Sequence, residues 1–261
     1  MLKDKENWKT TDINPNSLWI IERRKQGGKH ENNYHGNFIP QVPNQLIRRY
    51  TNKGDTVMEL FSGGGTTLYE CEHLGRHYIG FDINEKINAA VLSKMIDTKN
   101  IHFSLNTCDV SDPEKLKNIT VKNLNWKEKT TVDFLIAHPP YMDIIKFTDK
   151  KEDLSNVSDV NLFLDKLMLA LEAGYEFLEK EKYFAIVMGD VYKNSEVIPL
   201  GFFVMNKIKQ SFRVKLKGIV VKNIEGNRAK LRTENLWKYR ALNSDYFLFK
   251  HEYIFIFKKV N

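Results

Sequence analysis

The chain has 261 residues, 42% of them hydrophobic, enough to bury a core in one large domain or two small ones. Its two cysteines, Cys71 and Cys108, sit in no CxxC or Cys/His cluster, so neither a structural zinc nor a disulfide framework is expected, and a reducing, intracellular setting follows. The net charge of +7 is local: residues 206–261 hold fourteen Lys or Arg against four Asp or Glu, a surplus of ten that leaves the preceding residues at minus three, which suits a phosphate-bearing partner or a solubility device.

The opening "MLKDKENWKTTD" is charged with no apolar core, and the longest apolar runs, such as "YIFIF", are strand-sized, so neither export nor membrane anchoring is expected and a cytoplasmic location follows. "KQGGKHENN" reads as an exposed loop after the short apolar run "SLWII". "NQLIRRYT", residues 44–51, predicts a short helix, and from there strands and helices alternate. "DTVMELF" is a strand, "GGGTT" a turn, and "TLYECEHLG" a helix with Leu68, Cys71 and Leu74 on one face and Gly75 as its C-terminal cap. "RHYIGFD" is the second strand, "NEKINAAVLSKMID" a helix, and "FSLNTCD" and "TVDFLIA" are the third and fourth strands. "DVNLFLDKLMLALEAGYEFLEK" predicts an amphipathic helix capped by Ser158 or Asp159, and "KYFAIVMGD" a fifth strand whose apolar run suits a sheet covered on both faces. Such alternation implies parallel pairing through right-handed crossovers. "FRVKLKGIVVK" and "DYFLFKHEYIFIFKK" are strand-like with no convincing helix between them, which predicts an antiparallel hairpin at a sheet edge.

"ELFSGGGTT" hands a first strand over to a helix, where doubly wound sheets bind nucleotides and where glycines let backbone amides approach a ligand. A phosphate-binding P-loop would need Gly-Lys-Ser/Thr, and a dinucleotide fingerprint a third glycine where Leu68 stands; a plain tight turn is the simplest alternative. The acids around the turn narrow the choice. Asp82 ends the second strand, where a carboxylate can accept both hydroxyls of a ribose, and Asp109 ends the third. Glu59, ending the first, can orient the glycine turn or meet a positive part of the ligand. Acids at three successive strand ends suit an adenosine with a cationic chain, S-adenosylmethionine, better than one with phosphates.

"HPPY", residues 138–141, ends the fourth strand. Alone it would read as a Pro-Pro turn with a surface His and a packed Tyr. In company it resembles a catalytic motif: "VMELFSGGGTTL" is similar to the cofactor motif of the amino-group DNA methyltransferases, Asp-Pro-Phe-x-Gly-Ser-Gly-Thr-Thr. "YIGFDIN" resembles that family's ribose-binding acid, "HPPY" its Asp/Asn/Ser-Pro-Pro-Tyr, and "GNFIPQVPNQLI" the segment over the methionine end of the cofactor. The resemblance covers residues 35–141 and continues loosely to the final strands. It departs at Glu59 and Leu60, which replace Asp-Pro, and at His138, which replaces Asp, Asn or Ser.

The resemblance implies an α/β, Rossmann-like class I methyltransferase fold, a mostly parallel doubly wound sheet with a C-terminal antiparallel β-hairpin. It implies one methyltransferase domain over residues 1–261: an N-terminal extension (1–34), a cofactor-binding and catalytic core (35–210), a DNA-recognition insertion (211–245) and a final sheet strand (246–261). S-adenosylmethionine would be bound by Phe38, Pro40, Glu59, Phe61, Gly63, Gly65, Thr66, Thr67, Asp82 and Asp109, with His138, Pro139, Pro140 and Tyr141 catalytic and no metal. The implied activity is site-specific methylation of the exocyclic amine of a flipped adenine (N6) or cytosine (N4) in double-stranded DNA, in a restriction-modification or orphan system of a prokaryote or phage. An RNA base N-methyltransferase and a non-catalytic nucleic-acid binder are the alternatives. A cognate restriction enzyme and a homodimer are the further partners such a role suggests.

That chemistry explains the motif. The lone pair of the exocyclic amine is delocalised into the ring, and two acceptors for its hydrogens favour the tetrahedral nitrogen that can attack a methyl group. The first motif residue supplies one acceptor and the carbonyl of the first proline the other; two prolines hold the loop rigid, and the Tyr ring offers a stacking face. His138 can accept only as neutral imidazole, so an ordinary histidine predicts activity lost at acid pH with a midpoint near 6 to 7. A role for His138 as base is the competing reading. For DNA, the basic stretch 213–240 offers Lys215, Lys217, Arg228, Lys230, Arg232, Trp237, Lys238 and Arg240, helped by "ERRKQGGKH" at 22–30 or by a second copy. A solvated hairpin with a packed Trp is the plainer reading of the same stretch.

Overall fold

A computed structural model describes residues 7–30, 36–37, 39–126, 128–224 and 234–261, with backbone alone at Glu234 and Trp237. In chain order the elements are β1 (Leu18–Trp19), α1 (Gln41–Tyr50), β2 (Thr56–Glu59), α2 (Thr66–Leu74), β3 (His77–Asp82), α3 (Glu85–Ser93), β4 (Phe103–Thr107), α4 (Pro113–Leu124) and β5 (Val132–Ala137). They continue with α5 (Val160–Phe177), β6 (Leu178–Met188), β7 (Val191–Lys193), β8 (Glu196–Ile198), α6 (Leu200–Ser211), β9 (Val214–Asn223), α7 (Glu234–Leu242) and β10 (His251–Lys259).

The main sheet runs β1-β9-β10-β6-β5-β2-β3-β4, and β7-β8 form a separate small hairpin. Strands β2 to β6 pair in parallel, while β10 is antiparallel to both β6 and β9. From β2 the chain moves outward through β3 to β4; from β5 it moves the other way to β6. The crevice at this switch in direction opens beyond the C-terminal ends of β2 and β5, where doubly wound sheets bind ligands.

Alternate strand residues serve opposite faces. Phe134 and Ile136 of β5 join Val42, Ile47, Leu68 and Val91 from α1, α2 and α3, whereas Leu135 and Ala137 join Leu116, Phe163, Leu167 and Val204 from α4, α5 and α6. This two-sided burial is why the parallel strands read as unbroken apolar runs. The Rossmann-like sheet and its antiparallel C-terminal pair are as expected from the sequence.

Several local expectations change. Helix α1 starts at Gln41, because Pro43 falls in its first turn, where a missing N–H costs nothing. Helix α4 is additional: Asp112 caps it by accepting from the Lys115 amide, with Pro113 at its first position. Helix α6 is also additional, with Leu200, Val204 and Ile208 buried at four-residue intervals. A helix, α7, does lie between the last two strands, contrary to expectation; Leu236, Tyr239 and Leu242 are exposed on it, so it shows no one-sided apolar pattern. The final strand begins at His251, and the antiparallel pair is not the sheet edge, since β1 pairs with β9 outside it.

Residues 7–30 pack over α1 and α2. Arg48 pairs with Asp12 at 2.7 Å, the Asn14 amide donates to Gln45 Oε1 at 2.7 Å, Lys29 meets Glu72 at 2.6 Å and His30 meets Glu70 at 2.7 Å. Among the described residues no helix is long and apolar enough to cross a membrane.

Candidate active site

The glycine turn and HPPY leave adjacent strands, β2 and β5, at the same edge of the sheet. Gly65 caps α2 in the left-handed region at φ 76, and Gly63 lies there too at φ 47. The turn is fastened by its amides: Gly63 donates to Asp82 Oδ2 at 2.7 Å, Gly64 to Asn37 Oδ1 at 2.9 Å and Gly65 to the Ser62 carbonyl at 3.0 Å. The other oxygen of Asp82 accepts from the Asn84 amide at 2.8 Å; burial raises the acid's pKa while these two amides pull it down. Each oxygen keeps lone pairs for further donors.

Asn88 ties β3 to β4 by donating to the Asp82 carbonyl and to Thr107 Oγ1, at 3.2 and 2.9 Å. Its own Oδ1 is buried with no hydrogen-bond partner among the described residues. A buried orphan acceptor beside a two-oxygen acid suits a ligand rich in donors, such as an adenosine. Asp109 is turned toward its own chain, accepting from the Ser111 amide and hydroxyl at 2.9 and 2.7 Å.

Of the two roles expected for Glu59, its contacts suit the orienting of the turn and not the meeting of a ligand's positive charge. Its oxygens accept from Thr67 Oγ1 and the Tyr78 hydroxyl, each at 2.5 Å, and Tyr78 also meets Ser62 Oγ at 2.7 Å. Burial pushes the carboxyl up to about 8 against these hydrogen bonds. It is therefore neutral at pH 7 and adds no negative charge; it braces the turn from below. An acid whose pKa is raised by folding contributes stability that is whole below its unfolded value of 4.5 and lost as the pH rises through 8. The expected result is that Glu59→Gln gains on the native chain between pH 5 and 9, by up to roughly 4 kcal/mol in urea titrations. A constant difference across that range would mean that Glu59 folds ionised.

At the end of β5, Pro139 is buried and both prolines are trans. Tyr141 packs on Gly189, where a built Cβ would lie 2.8 Å from the ring. Met142 follows at φ 55, and Asp143 then pairs with Lys193 of β7 at 2.7 Å, fixing the exit of the loop. His138 Nε2 lies 3.1 Å from the Tyr141 hydroxyl, which donates to Glu252 Oε2 at 2.9 Å; Glu252 Oε1 accepts from Lys222 Nζ at 2.9 Å. Burial pushes the imidazole down to about 4, opposed by the Glu252 charge and assisted by that of Lys222. The expected midpoint therefore moves down from between 6 and 7, a value that assumes an imidazole in water, toward 4. Burial together with the Glu252 charge holds the Tyr141 hydroxyl well above the ordinary phenol range.

The basic residues divide. Lys215 and Lys217 are exposed at the start of β9, and Lys215 lies opposite Lys258, at the far end of the sheet from Lys222, roughly 23 Å away along the strand. The structure does not bring them to the site. The connection carrying α7, with exposed Lys238 and Arg240, leaves β9 and enters β10 at the HPPY edge. Phe38, Arg228, Lys230 and Arg232, and the Trp237 side chain, lie outside the described residues. Lys29 and His30 of the "ERRKQGGKH" stretch are committed to Glu72 and Glu70. Sequence reasoning missed Asn37, Tyr78, Asn88, Lys222 and Glu252; a Lys and a Glu within otherwise apolar strands were the available signal for the last two.

Fold and site together define a Rossmann-like α/β chain whose glycine turn and HPPY loop leave adjacent strands at one sheet edge. Residues 1–92 match the family described as DNA methylase, N6_N4_Mtase. The Type II methyltransferase M.MjaII of Methanocaldococcus jannaschii is 43% identical over 51 residues, 20% of this chain and 10% of that one. The Type II methyltransferase M.HpaI of Haemophilus parainfluenzae is 27% identical over 119 residues, 43% of this chain and 38% of that one. The crystal structure of TrmN from Thermus thermophilus shares the fold with a TM-score of 0.53 at 13% identity, over 87% of this chain and 50% of that one. Over residues 1–92 the chain is similar to the N6/N4 DNA methylase family, and its matches span from a tenth to under two fifths of the length of these two curated relatives.

Proposed function

We propose that this chain is a site-specific DNA methyltransferase that transfers a methyl group from S-adenosylmethionine to the exocyclic amine of a flipped adenine (N6) or cytosine (N4). The observation that carries the reading is the meeting of the glycine turn and a half-buried His138, neutral at pH 7, at the ends of adjacent strands. Bound S-adenosylmethionine supplies an electrophilic methyl on a sulfonium. The chain's part is to hold and activate the amine. His138 and the Pro139 carbonyl accept its two hydrogens, and the Tyr141 ring, clamped by Gly189 and Glu252, gives the base a face to stack on. With an imidazole this weakly basic, the acceptor role suits His138 better than that of base.

For the cofactor we assign Asp82 to the ribose, the amides of Gly63 and Gly65 to close approach, Pro40, Phe61 and Asp109 to the rim, and Glu59, Thr66 and Thr67 to support of the turn. We assign the grip on DNA to the α7 segment within the 211–245 insertion, through Lys238 and Arg240. Because the relatives named above are Type II methyltransferases, a prokaryotic or phage modification system with a cognate restriction enzyme is the setting we propose.

The test is incubation with methyl-labelled S-adenosylmethionine and either duplex DNA or RNA, followed by mass spectrometry of the nucleosides. N6-methyladenine or N4-methylcytosine from DNA is expected, with Lys238→Ala and Arg240→Ala together raising KM for DNA at unchanged cofactor affinity. Label in RNA alone, or in neither, would overturn the reading.

A further inference from the structure

We infer that the buried Lys222–Glu252 pair is a positioning device that sets the tautomer of His138 through Tyr141, making Nδ1 the nitrogen that accepts from the substrate amine. The inference deepens the proposed methyl transfer and rests on it for its catalytic meaning. Its logic is a count of protons along the chain His138, Tyr141, Glu252, Lys222.

Tyr141 has one hydroxyl proton. A carboxylate can only accept, so that proton goes to Glu252 Oε2 at 2.9 Å. What the Tyr141 oxygen then offers His138 Nε2, at 3.1 Å, is a lone pair, and Nε2 must carry hydrogen. In a neutral imidazole the other nitrogen, Nδ1, is then unprotonated. The direction of the whole chain depends on Glu252 staying ionised, and Lys222 secures this. Burial acts to raise the Glu252 carboxyl, but the Lys222 charge and the hydrogen bonds from Lys222 and Tyr141 hold it below the usual range.

Position supports the same view. Lys222 of β9 and Glu252 of β10 stand directly opposite in the antiparallel register, both less than a tenth exposed. An apolar pair often replaces such an ion pair with no loss of stability, so the fold alone does not call for it. β10 is separated from β5 by β6, roughly 10 Å for two strand spacings, and the Tyr141 side chain bridges the distance.

Glu252→Gln keeps the shape and should reverse the chain. Lys222 retains the amide oxygen, the amide NH₂ donates to the Tyr141 hydroxyl, and Tyr141 turns its proton to Nε2 of His138, which then carries hydrogen on Nδ1. The test is a two-bond proton–nitrogen spectrum of the ¹⁵N-histidine-labelled protein at pH 7, with His138 assigned from its loss in His138→Asn. Expected are Nε2–H in the native chain and in Glu252→Asp, Nδ1–H in Glu252→Gln, and a fall of tenfold or more in kcat for Glu252→Gln with cofactor KM unchanged. Nδ1–H in the native chain overturns the inference and needs no variant to fold; the same tautomer in native and Glu252→Gln protein also overturns it. The spectrum requires no turnover, so a swap of tautomers in a protein that methylates nothing would support the proton chain while sinking the proposed function.

Discussion

The rate of single-turnover methylation is expected to stay level from pH 8 down to 5.5 and to fall only as the pH nears 4. The sign follows from burial. His138 lies among Tyr141, Glu252 and Lys222; burial favours neutral imidazole and pushes its pKa down to about 4, so the accepting lone pair is present throughout the neutral range. A midpoint between 6 and 7 would mean an imidazole that titrates as in water and would end the assignment of an acceptor kept neutral by its surroundings. His138→Ala should lower kcat by about 10²- to 10³-fold, the scale seen when one preorganised polar contact is removed from a reacting centre. His138→Asn restores an acceptor but not a base and should recover much of the loss. The same burial has a cost in stability: the unfolded imidazole takes up a proton near pH 6.5 that the folded one refuses until about 4. Unfolding free energy should therefore drop by up to about 3 kcal/mol from this residue as the pH falls through that window.

What could be read from the sequence depended on how local its cause was. The strand-to-helix succession, the Gly75 cap and a cap of α5 at Ser158 or Asp159 follow from near neighbours and were legible; the structure settles on Asp159, which accepts from the Leu162 amide. So were the glycine turn and HPPY as motifs, because each sits in a contiguous run. The pair Lys222–Glu252 was not, since it joins residues thirty apart through the pairing of β9 and β10, and a sequence shows each only as one more charge. Nor was the neutrality of Glu59 and His138, which comes from burial by other elements. The basic surplus was visible, but its division was not: strand direction sends Lys215 to one end of the sheet and the α7 connection to the other.

Gly65→Ala is expected to abolish most cofactor binding, and the way it can be rescued separates two causes. The first is conformational: at φ 76 an alanine pays the left-handed penalty, roughly 1 to 2 kcal/mol. The second is steric, because a Cβ there would lie 2.6 Å from Val91 Cγ1 and 3.2 Å from the Tyr69 ring. Both act on the turn whose amides bind Asp82 and Asn37, so the loss should appear in cofactor affinity, at about 30-fold or more, as well as in melting temperature. Adding Val91→Ala opens the space and should return the steric share while leaving the conformational one. Asp82→Asn attacks the same turn without a clash: one oxygen becomes an NH₂ facing a backbone N–H, either Gly63 or Asn84. An unsatisfied buried donor costs about 1 to 3 kcal/mol, or roughly 10- to 100-fold in cofactor Kd by calorimetry. If Asp82→Asn bound the cofactor as the native chain does while Gly65→Ala did not, the acid would be a brace for the turn and the ribose would have to be held elsewhere, with Asn88 Oδ1 the next acceptor along the edge.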